Sequence, residues 1–104
     1  MSPDDFRALA LALPGATEGE HMHHPDFRAH GRIFATLVER DGALGMVKLT
    51  VEQQAALVRS EPRVYEPVPG GWGLRGATHV RLAAAKAASV RKALQLAWNN
   101  VAAK

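Results

Sequence analysis

The stretch Ile33-Phe34-Ala35-Thr36-Leu37-Val38-Glu39-Arg40-Asp41-Gly42-Ala43-Leu44-Gly45-Met46-Val47-Lys48-Leu49 carries the strongest fold signal in the chain. Asp41-Gly42 lies between two apolar runs, and this dipeptide favours a type I′ turn because both of its residues need positive φ. The pattern predicts a hairpin of residues 33–40 and 43–49. A two-residue turn would set Thr36 opposite Val47 and Ala35 opposite Lys48. One face would then carry Phe34, Thr36, Val38, Val47 and Leu49, and the other Ile33, Ala35, Leu37, Leu44, Met46 and Lys48. Both faces are largely apolar, so part of each should be covered.

Helices are predicted on both sides of this hairpin. Upstream, Ser2 is an N-cap, Pro3 suits the first helical position and Asp5 completes a capping-box spacing. Phe6, Leu9, Ala10 and Leu13 then share a helical face until Pro14-Gly15. Residues 16–31 are less clear. His21, Met22, His23 and His24 read as a short extended segment, Pro25 as a break or edge position, and residues 26–30 as a second short strand.

Downstream, Thr50 and Gln53 form a second capping box, and the helix they begin stops before Pro62. Val64 and Tyr65 are a short strand candidate. Residues 72–75 and 78–82 read as a second hairpin around Gly76-Ala77, which would pair Trp72 with Arg81 and Leu74 with His79. A last helix over residues 84–102 carries Val90, Leu94, Ala97, Trp98 and Val101 at the helical period.

Length and composition agree with one domain, residues 1–104, with 47% hydrophobic and 22% charged residues. No stretch is apolar for long enough to span a membrane. The acidic start Met-Ser-Pro-Asp-Asp is unlike a secretory signal, and there is no cysteine, which points to the cytoplasm. The formal charge of +3 is unevenly spread. Residues 1–66 hold ten acidic and seven basic residues, whereas residues 67–104 hold six basic and no acidic ones. A basic half of this kind can steer polyanions.

Chemistry-bearing motifs are few. On a strand, His21 and His23 would share a face, yet no zinc-motif spacing surrounds them, so neither a metal nor a cofactor is expected. Ser60 and Ser89, the only serines after Ser2, fall in or at the end of predicted helices and not in a nucleophile elbow, so no catalytic residue is assigned. A Trp72–Arg81 pair on a hairpin would combine base stacking with a phosphate contact, or else be a core tryptophan with an arginine over its edge. Lys48 is a lone lysine on an apolar sheet face, either snorkelling at the rim or marking a ligand surface.

The segments His24-Pro25-Asp26-Phe27-Arg28, Gly31 to Leu37, Met46 to Leu49, Gly71 to Thr78 and Ala97 to Ala102 resemble the MmcQ/YjbR family. The resemblance runs from Leu11 almost to the end of the chain. It implies a two-layer α+β fold of order α-β(3)-α-β(2)-α with an antiparallel sheet, similar to secretion chaperones and frataxin-like proteins. It also implies DNA binding through a "double wing" of hairpins, with the strand lysine at Lys48 and the hairpin tryptophan at Trp72.

The expectation is therefore a non-catalytic domain that binds DNA weakly and without sequence preference through Lys48, Trp72, Arg75, His79 and Arg81. The alternative is a small-molecule or protein-interaction module using the uncovered sheet face. A homodimer is expected if that face is as apolar as the hairpin pattern makes it.

Overall fold

The computed structural model describes residues 1–38 and 44–102. Helix α1 (Pro3–Leu11) starts at the reciprocal Ser2–Asp5 capping box, with Pro3 in its first turn. Strands β1 (Thr17–His21), β2 (His24–Ala29), β3 (Arg32–Leu37) and β4 (Leu44–Lys48) follow. Helix α2 (Val51–Ser60) is capped by Thr50 and Gln53 as predicted. Then come β5 (Tyr65–Pro67), the short helix α3 (Gly71–Leu74), β6 (Ala77–Arg81), a 3-10 turn over Leu82–Ala84 and helix α4 (Ala87–Ala102). The six strands form one sheet in the order β1-β2-β3-β4-β6-β5, with every neighbouring pair antiparallel. The α+β class holds, with four strands before α2 where three were implied.

Two rows of side chains set the core. One runs Phe27–Ala35–Val47–Thr78 across β2, β3, β4 and β6, and the other runs Leu37–Gly45–Val80–Tyr65. All eight residues are buried. Val90, Ala93, Leu94 and Ala97 of α4 join the same core cluster, as do Phe6 and Ala10 of α1. The Phe6 ring meets Phe27 edge-on at 6.1 Å.

The β3–β4 register differs by one residue from the predicted one. Ala35 lies opposite Val47 and Thr36 opposite Met46. The Asp41-Gly42 turn itself lies outside the described residues. A one-residue slip exchanges faces, and here it moves Ala35 and Leu37 to the helix side. A bulge between β2 and β3 adds to this. Phe27 pairs with Ala35 and Arg28 with Ile33, which leaves Phe34 without a partner of its own. Phe34 and Ala35 are therefore both fully buried in the core cluster, against strict alternation. The opposite face carries the row Gly19–Asp26–Thr36–Met46–His79–Glu66, which is mainly polar. The apolar uncovered face that suggested a homodimer is absent from this arrangement.

The histidine segment is also corrected. His21 pairs with His24, and Met22 and His23 form the two-residue turn between β1 and β2, both at positive φ. His21 thus shares a face with His24 and not with His23. Pro25 lies in β2, next to the edge strand, ahead of the first β2–β3 pair Asp26–Thr36. Its missing N–H costs no bond in that ladder.

The second hairpin does not form. Both edges of β6 are occupied, because Val80 faces Gly45 of β4 on one side and Tyr65 of β5 on the other. No edge remains for residues 72–75, which wind into α3 instead. Trp72 accordingly has no pairing with Arg81, nor Leu74 with His79.

Two tests follow from this packing. A Cβ on Gly45 would sit 2.9 Å from Phe6 Cε1 and Cζ, inside a fully buried contact. Gly45→Ala should cost about 1–3 kcal/mol, typical of overpacking, as measured by urea denaturation. A second test concerns Asp26, which is fully buried. It accepts from Arg28 Nε at 2.7 Å, from Arg28 Nη2 at 3.1 Å and from His21 Nδ1 at 2.8 Å. The Arg28 bonds hold its carboxyl below the ordinary carboxylate range, against the opposing effect of burial, and His21 adds to the lowering. A lowered folded pKa contributes stability that is present above the unfolded value of about 3.9 and is lost as pH falls through the folded value. Asp26→Asn should cost about 2–3 kcal/mol at pH 7, since the buried carboxylate facing the Arg28 guanidinium loses its charge and one of its two acceptor oxygens. It should also flatten the acid limb of a melting-temperature profile below pH 4, and an unchanged limb would remove Asp26 from this role.

Candidate functional site

Antiparallel pairing brings the C-terminal ends of β2 and β4 together with the N-terminal ends of β3 and β6. Arg28, Arg32 and Lys48 therefore share one end of the sheet, and α3 leads into β6 there, since Lys48 pairs directly with Ala77. Asn100 of α4 closes this end. Its Nδ2 donates to the Lys48 carbonyl at 3.0 Å and to Gln53 Oε1 at 2.8 Å.

Helix α3 is held by backbone contacts that only glycine permits. A Cβ on Gly73 would lie 1.7 Å from the Val68 carbonyl oxygen, and one on Gly76, at φ 111°, would lie 2.0 Å from the Leu49 carbonyl oxygen. Gln54, buried in α2, donates from Nε2 to the carbonyls of Gly73 and Ala77 at 3.0 and 2.9 Å. Gln54 was missed in the sequence because a glutamine in a helix reads as solvated. On this fixed support Trp72 is 63% exposed and Leu74 82% exposed. The Arg75 guanidinium lies 5.6 Å from the Trp72 ring centre, a cation–π pair.

The five expected contact residues separate. Lys48, Trp72 and Arg75 belong to this end of the sheet. His79 lies in the middle of the polar row, between Met46 and Glu66. Arg81 pairs with Leu44 at the opposite end, four residues along β4 from Lys48. It is bound to the Glu66 carboxylate and donates to the carbonyls of Pro62 and Arg63 at 3.3 Å each. Lys48 does sit at the rim of the sheet, half-buried, on a face that is polar and not apolar.

Next to Lys48 is a groove of about 460 Å³ lined by Arg28, Gly31, Arg32, Ile33, Lys48 and Val101. Arg28 is ion-paired with Asp26 and its side chain is half-exposed. Among the described residues neither Arg32 nor Lys48 has an ion-pair partner. Sequence reading passed over Arg32 because the β2–β3 turn that places it beside Lys48 was not resolved there.

His21 donates from Nδ1 to Asp26, while His24 Nδ1 is buried and has no hydrogen-bond partner among the described residues. Among the described residues no group of three His, Asp or Glu side chains is placed to hold a metal. The Ser89 hydroxyl donates to Glu61 at 2.7 Å and lies 2.7 Å from the Tyr65 hydroxyl, linking α4 to the end of α2. Burial raises the Tyr65 pKa. No helix of the described residues is long and apolar enough to cross a membrane.

Comparison with known proteins agrees with this architecture. The crystal structure of Deinococcus radiodurans protein DR2400, which carries the domain DUF419, superposes with a TM-score of 0.80 at 19% identity, covering 99% of this chain and 80% of that one. At that identity the likeness speaks for the fold. No curated protein matches the sequence. The YjbR family model matches residues 11–100, from the end of α1 to the last turn of α4, and the chain belongs to the YjbR family.

Proposed function

We propose that this protein is a non-catalytic nucleic-acid-binding domain whose contact surface is the sheet end bearing Lys48, Trp72 and Arg75. The observation that carries the reading is the exposed Trp72 ring with Arg75 against it, on a helix anchored by Gly73, Gly76 and Gln54. A fixed aromatic beside a cation suits a nucleic-acid strand, because every base has a face that can stack and every linkage a charge that can be neutralised. The surface proposed here holds no groove-reading helix, so binding should depend little on sequence. Arg81 is left out of the surface, since Glu66 and two carbonyls already satisfy it.

A second reading rests on Leu74, which is more exposed than Trp72 and has no use in stacking. Trp72 and Leu74 together would suit an apolar pocket on a protein partner.

Fluorescence anisotropy with labelled 12-mer single strands and duplexes tests the first reading. Trp72→Ala should weaken single-strand binding on the order of tenfold, given about 1–3 kcal/mol per stacked base. The melting temperature should not move, because the ring is exposed. Arg75→Glu should weaken both forms, whereas Arg59→Glu, on exposed α2, should not. With about three phosphates neutralised, duplex affinity should fall roughly fortyfold between about 50 and 200 mM salt. Absence of binding at about 20 mM salt and tens of micromolar protein would sink the nucleic-acid reading and leave the protein-docking one.

A further inference from the structure

The groove beside Lys48 has a charge pattern that the stacking surface does not explain. Its three cations come from separate places in the chain: the end of β2, the start of β3 and the end of β4. The His30-Gly31 turn, with φ of 56° and 75°, folds β3 back so that Arg32 stands near Arg28. Among the described residues no acidic side chain lines the groove. The carboxylate nearest along the strand is Asp26, which is bound to Arg28 and fixes that guanidinium in place. Set against that one carboxylate, the three cations leave two positive charges, counted over the described residues, along the lining of a space of about 460 Å³ at the end of the sheet. The carbonyl end of α4, which reaches the groove at Val101, offers only partial negative charge.

We infer that this groove is a binding site for a dianionic phosphate group, with Arg32 and Lys48 as its principal ligands and Arg28 as a pre-positioned third. A phosphomonoester carries close to two negative charges at neutral pH, since its second pKa is about 6, and this matches the uncompensated charge. A phosphodiester carries one. Arginine offers the planar fork that fits phosphate oxygens, and lysine a mobile point charge. Ile33 and Val101 supply apolar wall for the organic part of the ester. The source of the phosphate is either the terminus of a nucleic-acid strand or a free phosphate ester. Only the first source rests on the function proposed above.

The test uses the full chain, isotope-labelled, with amide signals followed by NMR at low ionic strength during titration with inorganic phosphate and, separately, phenyl phosphate. Saturable shifts centred on Gly31, Arg32, Ile33 and Lys48 are expected, with phenyl phosphate the tighter ligand. Arg32→Glu and Lys48→Glu should each weaken binding at least tenfold. Arg32→Gln, which removes charge without reversing it, should do so less severely. Arg32 is exposed and Lys48 sits at the rim, so the melting temperatures should stay near that of the parent. Trp72→Ala should leave phosphate binding unchanged, which separates this site from the stacking surface. Two results overturn the inference: no shifts at about 20 mM phosphate, or shifts undiminished in both charge-reversed variants. Oligonucleotide binding that survives Arg32→Glu while inorganic phosphate fails to bind also overturns it, and leaves the proposed function standing. If inorganic phosphate binds, 12-mers with and without a 5′-phosphate identify the source. A preference for the phosphorylated strand supports the site with a strand terminus as its ligand, and equal or absent binding of the two supports it with a free ester.

Discussion

The pairing of Ala35 with Val47 is the constraint from which most of this structure follows. It decides which side chains of β3 and β4 turn towards the helices, and so which face becomes core. With Ala35 opposite Val47, Leu37 falls opposite Gly45, and the absence of a side chain there admits the Phe6 ring from α1. Thr36 and Met46 are sent to the other face together. The β2–β3 bulge tightens the same arrangement by turning Phe34 inward beside Ala35. One register thus builds an apolar layer under α1 and α4 and leaves a polar surface behind it.

That polar surface is largely satisfied by its own members. Asp26 takes bonds from Arg28 and His21, and Glu66 takes one from Arg81. Pairs of this kind hold the strands together, but they also use up charge that would otherwise act on a partner. Among the described residues of the sheet and of α3, cations without a salt bridge therefore remain at the end with Arg32, Lys48 and Arg75. The middle of the face and the Arg81 end contribute little to this positive charge.

Strand β6 explains why an aromatic residue stands exposed at that same end. Pairing with both β4 and β5 leaves it no edge, so the chain before it must leave the sheet. Gly73 and Gly76 let it fold tightly onto the carbonyls of Val68 and Leu49, and Gln54 bonds the result from below. Trp72 and Leu74 are the side chains that this tight turn pushes outward. The family to which the chain belongs agrees with the architecture, while the surface on which ligands are proposed to act comes from local packing.

The sequence alone determined the elements whose signals are local. Both capping boxes, the apolar stripes of α1 and α4, the strand character of residues 33–37 and 44–48, and the α+β class were legible because each depends on neighbours within one or two turns of chain. The choice of Lys48 and Trp72 as residues of interest also came from local pattern and resemblance. Only the tertiary structure decided the rest. Whether Trp72 lies in a strand depended on the edges of β6, which are taken by strands whose paired residues are 11 to 37 positions away in sequence. Whether Arg81 is available depended on Glu66 across the β5–β6 pair, and the meeting of Arg32 with Lys48 depended on strand order. The register of β3 against β4 differed by one residue from the expected one. It places Ala35, Leu37 and Val47 together on the core side with Phe34, and that burial depends on helices far away in sequence that no local window contains.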